Sequence, residues 1–316
     1  MNTKLFITFI LITAFGAGCG KKEGIREDIT PPDVEKKPKE LTIHGHTRID
    51  NYYWLNQRSN AAVIAHLEAE NKYTTRMLAH TKDLQQDLYE EMVGRIKKDD
   101  SSVPYPENGY YWYSRYEKGA EYPVYARKKG NLDATEEIIL NVNTLADGYS
   151  FYRATGLSPS PDNRFLAFGE DTLSRRKYTI RFKDLKTGTF LEDRIENCTG
   201  STVWANDNKT VYYVKKDSTL RPHQIWMHVL GSPVSDDKLI YHEKDNTFNP
   251  HMYKSKSGEY IFIASVSTLS SEVRFFSADN PGAPPRLIQK RGEDYEYSVS
   301  HRGGYFYILT NLKAEN

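Results

Sequence analysis

Residues 161–168 read Pro-Asp-Asn-Arg-Phe-Leu-Ala-Phe, a polar turn followed directly by an aromatic and aliphatic strand. The same plan, a turn containing Asn or Gly and then an aromatic-rich run, recurs at 107–113, 206–213, 256–263 and 301–308. Matched turns are spaced by roughly 45 to 55 residues, which is the length of a four-stranded propeller blade. The repeat therefore predicts an all-β fold made of propeller blades.

Further strands between these hairpins complete the predicted blades. Examples are 178–185, which precedes the turn at 186–188, and 224–230, which precedes Gly231. A stack of two β-sandwiches is the alternative, but a sandwich gives no reason for such a repeat. We predict β-propeller blades over residues 99–316, about five in number. Because a propeller closes by pairing its first and last blades, we expect this chain to stop before the ring is closed.

The stretch 56–97 carries the one clearly helical pattern. Apolar side chains fall largely on one helical face and no proline interrupts them, which predicts one or two amphipathic helices. The polar face mixes acidic and basic side chains, unlike the basic face that a membrane surface selects. We therefore predict an N-terminal helical segment over residues 39–98 whose apolar face packs on the rest of the fold. The apolar positions include Val63, Leu67, Leu84, Leu88 and Met92.

Composition supports strands and gives no sign of a polyanionic partner. The 316 residues include 23 Tyr and 13 Phe against only 5 Met, and aromatic side chains fit pleated, half-buried surfaces. Lys plus Arg number 43 and Asp plus Glu 42, so no global field would recruit nucleic acid or an anionic membrane surface. We therefore predict no nucleic-acid partner.

The N-terminus has the order of a signal peptide. Lys4 lies in a short basic start, an apolar run follows, and the tripeptide Gly-Ala-Gly leads directly to Cys19. The run is shorter than the about 20 apolar residues that span a bilayer. Small residues ending in Cys resemble a bacterial lipobox, so we predict a signal peptide over 1–19, lipid attachment at Cys19 and a solvated tether over 20–38. An ordinary cleaved secretory signal and a retained anchor are the alternatives.

An exported bacterial lipoprotein would be periplasmic or associated with the outer membrane, and it would touch the membrane only through its lipid. Cys198 would then be the one thiol outside the processing signal, unable to form an intrachain disulfide. No His or Asp lies beside it in the sequence. We interpret Cys198 as a buried small apolar residue rather than a nucleophile.

Two polar motifs are compatible with a binding site, but each has a simpler explanation. His44 and His46 are separated by a single glycine, yet a zinc site needs three or four convergent ligands, and no Cys or Glu stands nearby in a matching pattern. The basic run Arg175-Arg176-Lys177 could bind phosphate, but it sits at a predicted turn without a glycine cradle or a further basic cluster. A solvated loop is predicted there, and we expect no metal and no cofactor.

Longer motifs are spread over most of the chain that follows the signal. They are Pro31-Pro32, Leu-Thr-Ile-His-Gly-His-Thr-Arg-Ile-Asp-Asn-Tyr-Tyr-Trp-Leu at 41–55, Ser-Pro-Asp-Asn-Arg-Phe-Leu-Ala-Phe-Gly-Glu-Asp at 160–171, Ser-Arg-Arg-Lys-Tyr at 174–178, Val-Trp-Ala-Asn-Asp at 203–207 and Arg-Pro-His-Gln-Ile-Trp at 221–226. Together they resemble the prolyl oligopeptidase family of serine peptidases, and its oligopeptidase B branch most closely. The resemblance implies a seven-bladed propeller near the N-terminus, followed by a C-terminal α/β-hydrolase domain that carries Ser, Asp and His.

The serine of such a domain lies on a G-x-S-x-G turn, and this chain contains no such motif. We therefore assign no catalytic residue in it, leave its substrate-binding residues unassigned, and expect the catalytic α/β-hydrolase domain to be missing from this chain.

The resemblance implies a whole protein that hydrolyses short peptides, in the oligopeptidase B branch after Arg or Lys, through an acyl-enzyme intermediate. This chain would be its substrate-gating propeller, inactive alone, with short peptides and the C-terminal hydrolase domain as partners. Prolyl specificity stays open, because the residues that would set the preference belong to the catalytic domain. The alternatives are a complete, non-catalytic, lipid-anchored propeller that binds a peptide or another protein, and a degenerate gene product without function.

Overall fold

The computed structural model describes residues 29–314, which fall into two compact units with the boundary after Ile96. Cys19 and the predicted signal peptide lie outside the described residues. Within the described range, no helix is both long enough and apolar enough to cross a membrane.

The first unit contains a β-hairpin and two helices. The hairpin is formed by β1 (Lys39–Ile43) and β2 (His46–Asp50), and the helices are α1 (Ala61–Met77) and α2 (Lys82–Gly94). The sequence pattern over 56–97 predicted one or two helices, and the structure has two, α1 and α2.

The two helices expose most of their apolar face. Val63 is buried, with 4% of its surface exposed, but Leu67 is 56%, Leu84 58% and Met92 61% exposed. The prediction that this face packs on the rest of the fold stays a prediction. Amphipathic periodicity shows that a helix has an apolar side, but it does not identify what covers that side.

The second unit consists of antiparallel sheets. Its strands are β3 (Tyr105–Glu107), β4 (Tyr110–Arg115), β5 (Val124–Lys129), β6 (Glu136–Asn141), β7 (Arg153–Pro159), β8 (Phe165–Asp171), β9 (Tyr178–Asp184), β10 (Phe190–Trp204), β11 (Thr210–Lys216), β12 (Pro222–Val229), β13 (Lys238–His242), β14 (Asn249–Lys254), β15 (Tyr260–Val266), β16 (Ser271–Ser277), β17 (Arg286–Gln289), β18 (Tyr297–Arg302) and β19 (Tyr305–Thr310). A short helix, α3 (Val142–Ala146), follows β6. Strands β3–β6 and β14–β17 form four-stranded sheets, β7–β13 form a seven-stranded sheet, and β18–β19 form a hairpin.

The seven-stranded sheet is two blades that share one long strand. Strand β10 has 15 residues; its first half pairs with β9 and its second half with β11. It is therefore the outer strand of the second blade and then the inner strand of the third. The unit comprises a first blade (β3–β6), a second (β7 to the first half of β10), a third (the second half of β10 to β13), a fourth (β14–β17) and the opening hairpin of a fifth (β18–β19). The predicted all-β propeller with about five blades is confirmed.

Each of the five predicted hairpins joins the first two strands of a blade. Their turns need a left-handed backbone: Asn108, Asn163 and Asn208 have φ angles of 47°, 61° and 60°. Asparagine adopts this conformation more readily than other residues with a side chain, because its short amide can bond to the local backbone. The polar turn residues in the sequence repeat thus have a direct backbone cause.

The core lies between successive blades. One cluster joins Tyr212 and Ile225 of the third blade to Ile261 and Phe276 of the fourth. The rings of Tyr212 and Phe276 are 5.0 Å apart, a separation typical of favourable aromatic pairs. Fully burying an aliphatic or aromatic side chain of this size contributes about 1.5–3 kcal/mol. The aromatic strands of the sequence repeat therefore supply the packing that holds blade to blade.

Glycine permits a close crossing within the second blade. Gly200, on β10, has a φ of 90°. A Cβ atom on Gly156 would lie 2.2 Å from the Gly200 carbonyl oxygen, and one on Gly169 would lie 2.5 Å from the Gly200 Cα. Side chains at these positions would force the strands apart, so the course of β10 from one blade to the next depends on glycine.

Candidate functional site

A cavity of about 850 Å³ runs along the first strands of four blades. Its lining includes Glu107 of β3, Ser158 of β7, Thr202 of β10 and Lys254 of β14. The four inner strands therefore form a single wall, and the cavity is within the size range of sites that hold small ligands. No residue of this wall was assigned from the sequence. Their shared position in successive repeats was the signal that could have identified them.

Hydrogen bonds fix this wall from one blade to the next. The indole Nε1 of Trp204 donates to the Ser158 carbonyl oxygen at 2.9 Å, which ties β10 to β7. The Tyr253 hydroxyl donates to the Val299 carbonyl oxygen at 2.8 Å, which ties β14 to β18. Thr202 is only 8% exposed and its Oγ1 has no partner within the described residues. A hydroxyl in that position could bond to a ligand or a water molecule.

The wall carries groups of both charges. The Lys254 ammonium donates to Asn206 Oδ1 at 2.5 Å, and burial lowers the pKa of Lys254. Burial, together with the negative charge of Glu107, raises the pKa of Tyr105. Lys256 also lines the cavity. The surface therefore offers a carboxylate, ammonium groups and neutral polar atoms to a ligand rather than a single strong charge.

The blade-opening turns are linked side by side at one end of the cavity. The Asn163 side-chain amide donates to the Asn108 carbonyl oxygen at 3.0 Å, and the Asp162 N–H donates to Asn208 Oδ1 at 2.9 Å. The Asn206 amide donates to the Gly258 carbonyl oxygen at 3.0 Å. These bonds fix the spacing of neighbouring turns, so the rim keeps its shape only while adjacent blades stay together.

One of these turns brings a serine and a histidine together without forming a catalytic triad. Ser257 Oγ lies 2.8 Å from His301 Nδ1, and Glu259 Oε1 lies 3.8 Å from the same nitrogen. A triad needs the acid and the nucleophile on opposite ring nitrogens, so that the acid holds the imidazole in the tautomer that accepts the proton of the nucleophile. This arrangement connects the fourth blade to the fifth hairpin instead.

The other residues singled out in the sequence lie apart from the cavity. His44 occupies the exposed β1–β2 turn with a φ of 53°. Among residues 29–314, no group of three or more His, Cys, Asp or Glu side chains is arranged to hold a metal ion. Cys198 is fully buried, and burial raises the pKa of its thiol to about 12. It is therefore a core residue, as predicted.

Four-stranded blades around a lined inner wall define the second unit as a β-propeller domain. Residues 32–316 match the family model for the prolyl oligopeptidase N-terminal β-propeller domain. The chain belongs to the prolyl oligopeptidase family, which confirms the resemblance seen in the sequence.

Two curated proteins are similar to this chain in sequence over nearly its whole length. It is 42% identical over 301 residues to dipeptidyl aminopeptidase BI of Pseudoxanthomonas mexicana, an alignment that covers 89% of this chain and 42% of that protein. It is 37% identical over 292 residues to protease 2 of Moraxella lacunata, covering 90% of this chain and 42% of that protein. The chain thus spans about two fifths of the length of these curated relatives.

Solved structures agree with these sequence relatives. Oligopeptidase B from Leishmania major superimposes with a TM-score of 0.83 at 30% identity, covering 90% of this chain and 43% of that one. Oligopeptidase B from Trypanosoma brucei gives a TM-score of 0.82 at 26% identity, with the same coverage. The similarity to the oligopeptidase B branch therefore holds in three dimensions as well as in sequence.

Proposed function

We propose that this chain is the substrate-gating propeller region of an exported serine oligopeptidase that hydrolyses short peptides after Arg or Lys. The observation that carries the proposal is the cavity lined by the first strand of four successive blades, in a chain of the prolyl oligopeptidase family. Peptides would reach the catalytic centre along this wall. Folded proteins would be excluded, because a rim fixed by bonds between neighbouring turns does not widen freely.

The catalytic serine, aspartate and histidine would belong to an α/β-hydrolase domain that follows the propeller. The serine would attack the scissile carbonyl, and an oxyanion hole would stabilise the charge that develops on the carbonyl oxygen. Preference for Arg or Lys would come from carboxylates of that domain.

Export as a lipoprotein is part of the proposal, and it rests on the sequence around Cys19. The test is the cellular fraction and N-terminal mass of the protein in a bacterial host. The wild-type protein should be found with membranes and carry a lipid at Cys19, whereas Cys19→Ala should lose the lipid. Wild-type protein that begins after another residue, without lipid, would contradict the lipid anchor but not the peptidase.

The decisive experiment measures hydrolysis by the full-length protein with blocked peptides that have Arg, Lys or Pro before the cleaved bond. We expect cleavage after Arg and Lys, and covalent labelling of one serine by a fluorophosphonate. Substitution of the labelled serine by Ala is the matched control against a contaminating peptidase. The same cleavage sequence placed in a loop of a folded protein should resist hydrolysis.

Two results would contradict the proposal. Cleavage of the folded protein at the rate of the short peptide would remove the gating role. A full-length protein that hydrolyses none of the peptides and labels at no serine would favour the alternative of a non-catalytic propeller that binds peptides or another protein.

A further inference from the structure

A second cavity, of about 540 Å³, lies where the second and third blades meet, and we name it the basic cleft. Its cationic lining consists of Lys177, Arg194, Lys215 and Lys216. Lys177 is the last residue of the β8–β9 loop, whereas Lys215 and Lys216 end β11. No further basic cluster accompanies the run at 175–177 in the sequence itself. The fold supplies one, because it brings the end of β11 next to the start of β9.

The lysines of the basic cleft have no acidic partner. Among residues 29–314, none of the three ammonium groups lies within ion-pair distance of a carboxylate. Lys216 donates to the Arg176 carbonyl oxygen at 2.5 Å, and Lys215 lies 4.5 Å from the centre of the Trp226 ring. Both side chains are therefore held in place without an ion pair to a carboxylate within the described residues.

Asp217 and Glu170, two acids near the cleft, bond to groups other than its lysines. Asp217 accepts hydrogen bonds from Thr219 and Arg221 in its own turn, and the bonds from Thr219 are the main cause that holds its pKa at about 2. Arg194 pairs with Glu170 at 3.3 Å, a carboxylate that it shares with Arg181. Burial and the charge of Arg176 lower the pKa of Lys216, and the charge of Asp171 only partly opposes them. An anion entering the cleft would further stabilise the ammonium group.

The other residues that line the cleft indicate which kind of anion it can bind. Leu220 and Val234 provide an apolar surface beside the lysines, whereas Glu196 and Asp217 add negative charge. A polyanion such as nucleic acid would be repelled by those carboxylates. A single carboxylate with an apolar side chain beside it can bind the lysines without contacting those carboxylates. Leu220 has a φ of 70° and Asn197 a φ of 60°. Asparagine adopts this conformation readily, but it is costly for leucine, and strained backbone of this kind clusters at functional sites.

We propose that the basic cleft binds the C-terminal carboxylate of a short peptide, with the last side chain of that peptide against Leu220 and Val234. This inference rests on the proposed peptide-hydrolysing function and adds a specificity site to it. The cleft would hold one end of the peptide, so chain length and a free C-terminus would both influence which peptides are retained. The carboxylate of an acidic side chain offers the same chemistry and is distinguished in the test.

The test is calorimetric binding to the full-length protein, after inactivation with a fluorophosphonate. The probes are Gly-Ala-Ala-Leu as free acid, the same peptide as C-terminal amide, and Gly-Ala-Glu-Leu amide. We expect the free acid to bind about tenfold more tightly than either amide, as suits a charge-assisted hydrogen bond at a partly exposed site. Higher salt should reduce this difference, because the interaction is between charges. Equal binding by the Glu-containing amide and the free acid would assign the site to acidic side chains.

The variants Lys177→Gln and Lys215→Gln should each weaken the free acid several-fold and leave the amide unchanged. Lys215→Arg, which keeps the charge, should restore binding and shows that the blade is folded. Lys209→Gln is the matched control, since Lys209 is exposed at the opposite end of β11 and should have no effect.

Equal affinity for the free acid and the amide would overturn the inference. A loss of free-acid affinity in Lys209→Gln as large as that in Lys177→Gln and Lys215→Gln would also overturn it. If the untreated protein still cleaves peptides in that case, the proposed function stands without this site. Absence of cleavage with intact acid-selective binding would instead refute the peptidase and keep the site.

Discussion

The third blade meets its two neighbours through two buried charge networks of different design. Towards the second blade, the His228 side chain is fully buried, with Nδ1 2.7 Å from Asp237 Oδ1 and Nε2 3.0 Å from Asp193 Oδ1. Asp193 belongs to the second blade, and His228 and Asp237 belong to the third. We name these three residues the histidine seam. Both ring nitrogens face carboxylate oxygens, so the imidazole lies between two buried aspartates.

Towards the fourth blade, the cation is an arginine. Arg291 Nη2 lies 2.6 Å from Glu243 Oε2 and 3.2 Å from Glu272 Oε1, and both carboxylates are only 4% exposed. We name this group the arginine seam. Glu243 follows the third blade, whereas Glu272 and Arg291 belong to the fourth. Each seam therefore places two buried carboxylates around one basic side chain, and each depends on that side chain, because a buried carboxylate without a partner is costly.

The secondary partners differ between the seams. Asp237 also accepts a bond from the Tyr213 hydroxyl at 2.7 Å, and Asp193 accepts one from the Gly231 N–H at 2.6 Å. Burial and Asp237 both raise the pKa of Tyr213, so its hydroxyl remains a donor. Removal of His228 would thus leave one donor on each aspartate. The arginine seam also keeps donors, because the Tyr241 hydroxyl donates to Glu243 Oε2 at 2.8 Å and Arg274 pairs with Glu272. Loss of Arg291 should still cost more, because its guanidinium also makes a cation–π contact, 3.8 Å from the centre of the Phe248 ring.

The largest effect is expected from Arg291→Met. This change leaves Glu243 and Glu272 without their shared cation and should lower the free energy of unfolding by about 3–5 kcal/mol. Urea-induced unfolding of the purified protein measures it. Lys290→Met, at the exposed neighbouring residue, is the control and should stay within about 0.5 kcal/mol of wild type. Equal stabilities of the two variants would refute the role of the arginine seam.

A smaller loss, about 2–3 kcal/mol, is expected from His228→Leu, because Tyr213 and the Gly231 N–H still bond to the two aspartates. The triple variant that adds Asp193→Asn and Asp237→Asn should recover part of this loss, since no buried charge remains unpaired. Unfolding in urea measures both. A triple variant less stable than His228→Leu would show that packing, rather than charge, dominates the histidine seam.

The rate of thiol labelling at Cys198 shows whether the protein opens locally at one seam or at both together. Cys198 is fully buried in the cluster that contains Tyr213, and its pKa is raised to about 12 by burial. Labelling of Cys198 by a maleimide, followed by peptide mass mapping, should be slow in wild type and about tenfold faster in His228→Leu. Arg291→Met should accelerate it less. Equal acceleration in both variants would mean that the blades open together rather than seam by seam.

The smallest effect is expected from pH. Burial alone would raise the pKa of Glu243 and of Glu272, but hydrogen bonds, chiefly from Arg291, hold both below their ordinary value. A depressed pKa stabilises the fold above the unfolded-state pKa, about 4.3, and this stabilisation is lost as pH falls through the folded-state value. Wild type should therefore lose more stability than Glu243→Gln between pH 5 and pH 3. Parallel pH profiles would show that Glu243 contributes nothing through its charge.

Much of the fold could be predicted because its signals are local. The turns at Asn108, Asn163 and Asn208 and the strands after them follow from backbone preference and alternation within a few residues. The two helices were predicted in the same way. The shared strand β10 was missed, since the repeat marks where each blade starts but not that one blade ends in the strand that begins the next.

The candidate sites could not be predicted, because they join residues that are distant in sequence. Asp193 and His228 are 35 positions apart, and Glu243 and Arg291 are 48 positions apart. The run at 175–177 was interpreted as a solvated loop, and only the pairing of blades showed that Lys177 shares a cleft with Lys215 and Lys216.

The sequence by itself determined the blade repeat, the helical segment, the burial of Cys198 and the family, because turn chemistry, periodicity and motifs are properties of short stretches. Only the tertiary structure decided which charges meet between blades, which lysines lack a partner and which apolar face stays exposed. The physical reason is that burial and pairing depend on neighbours in space, and in this fold those neighbours come from successive blades.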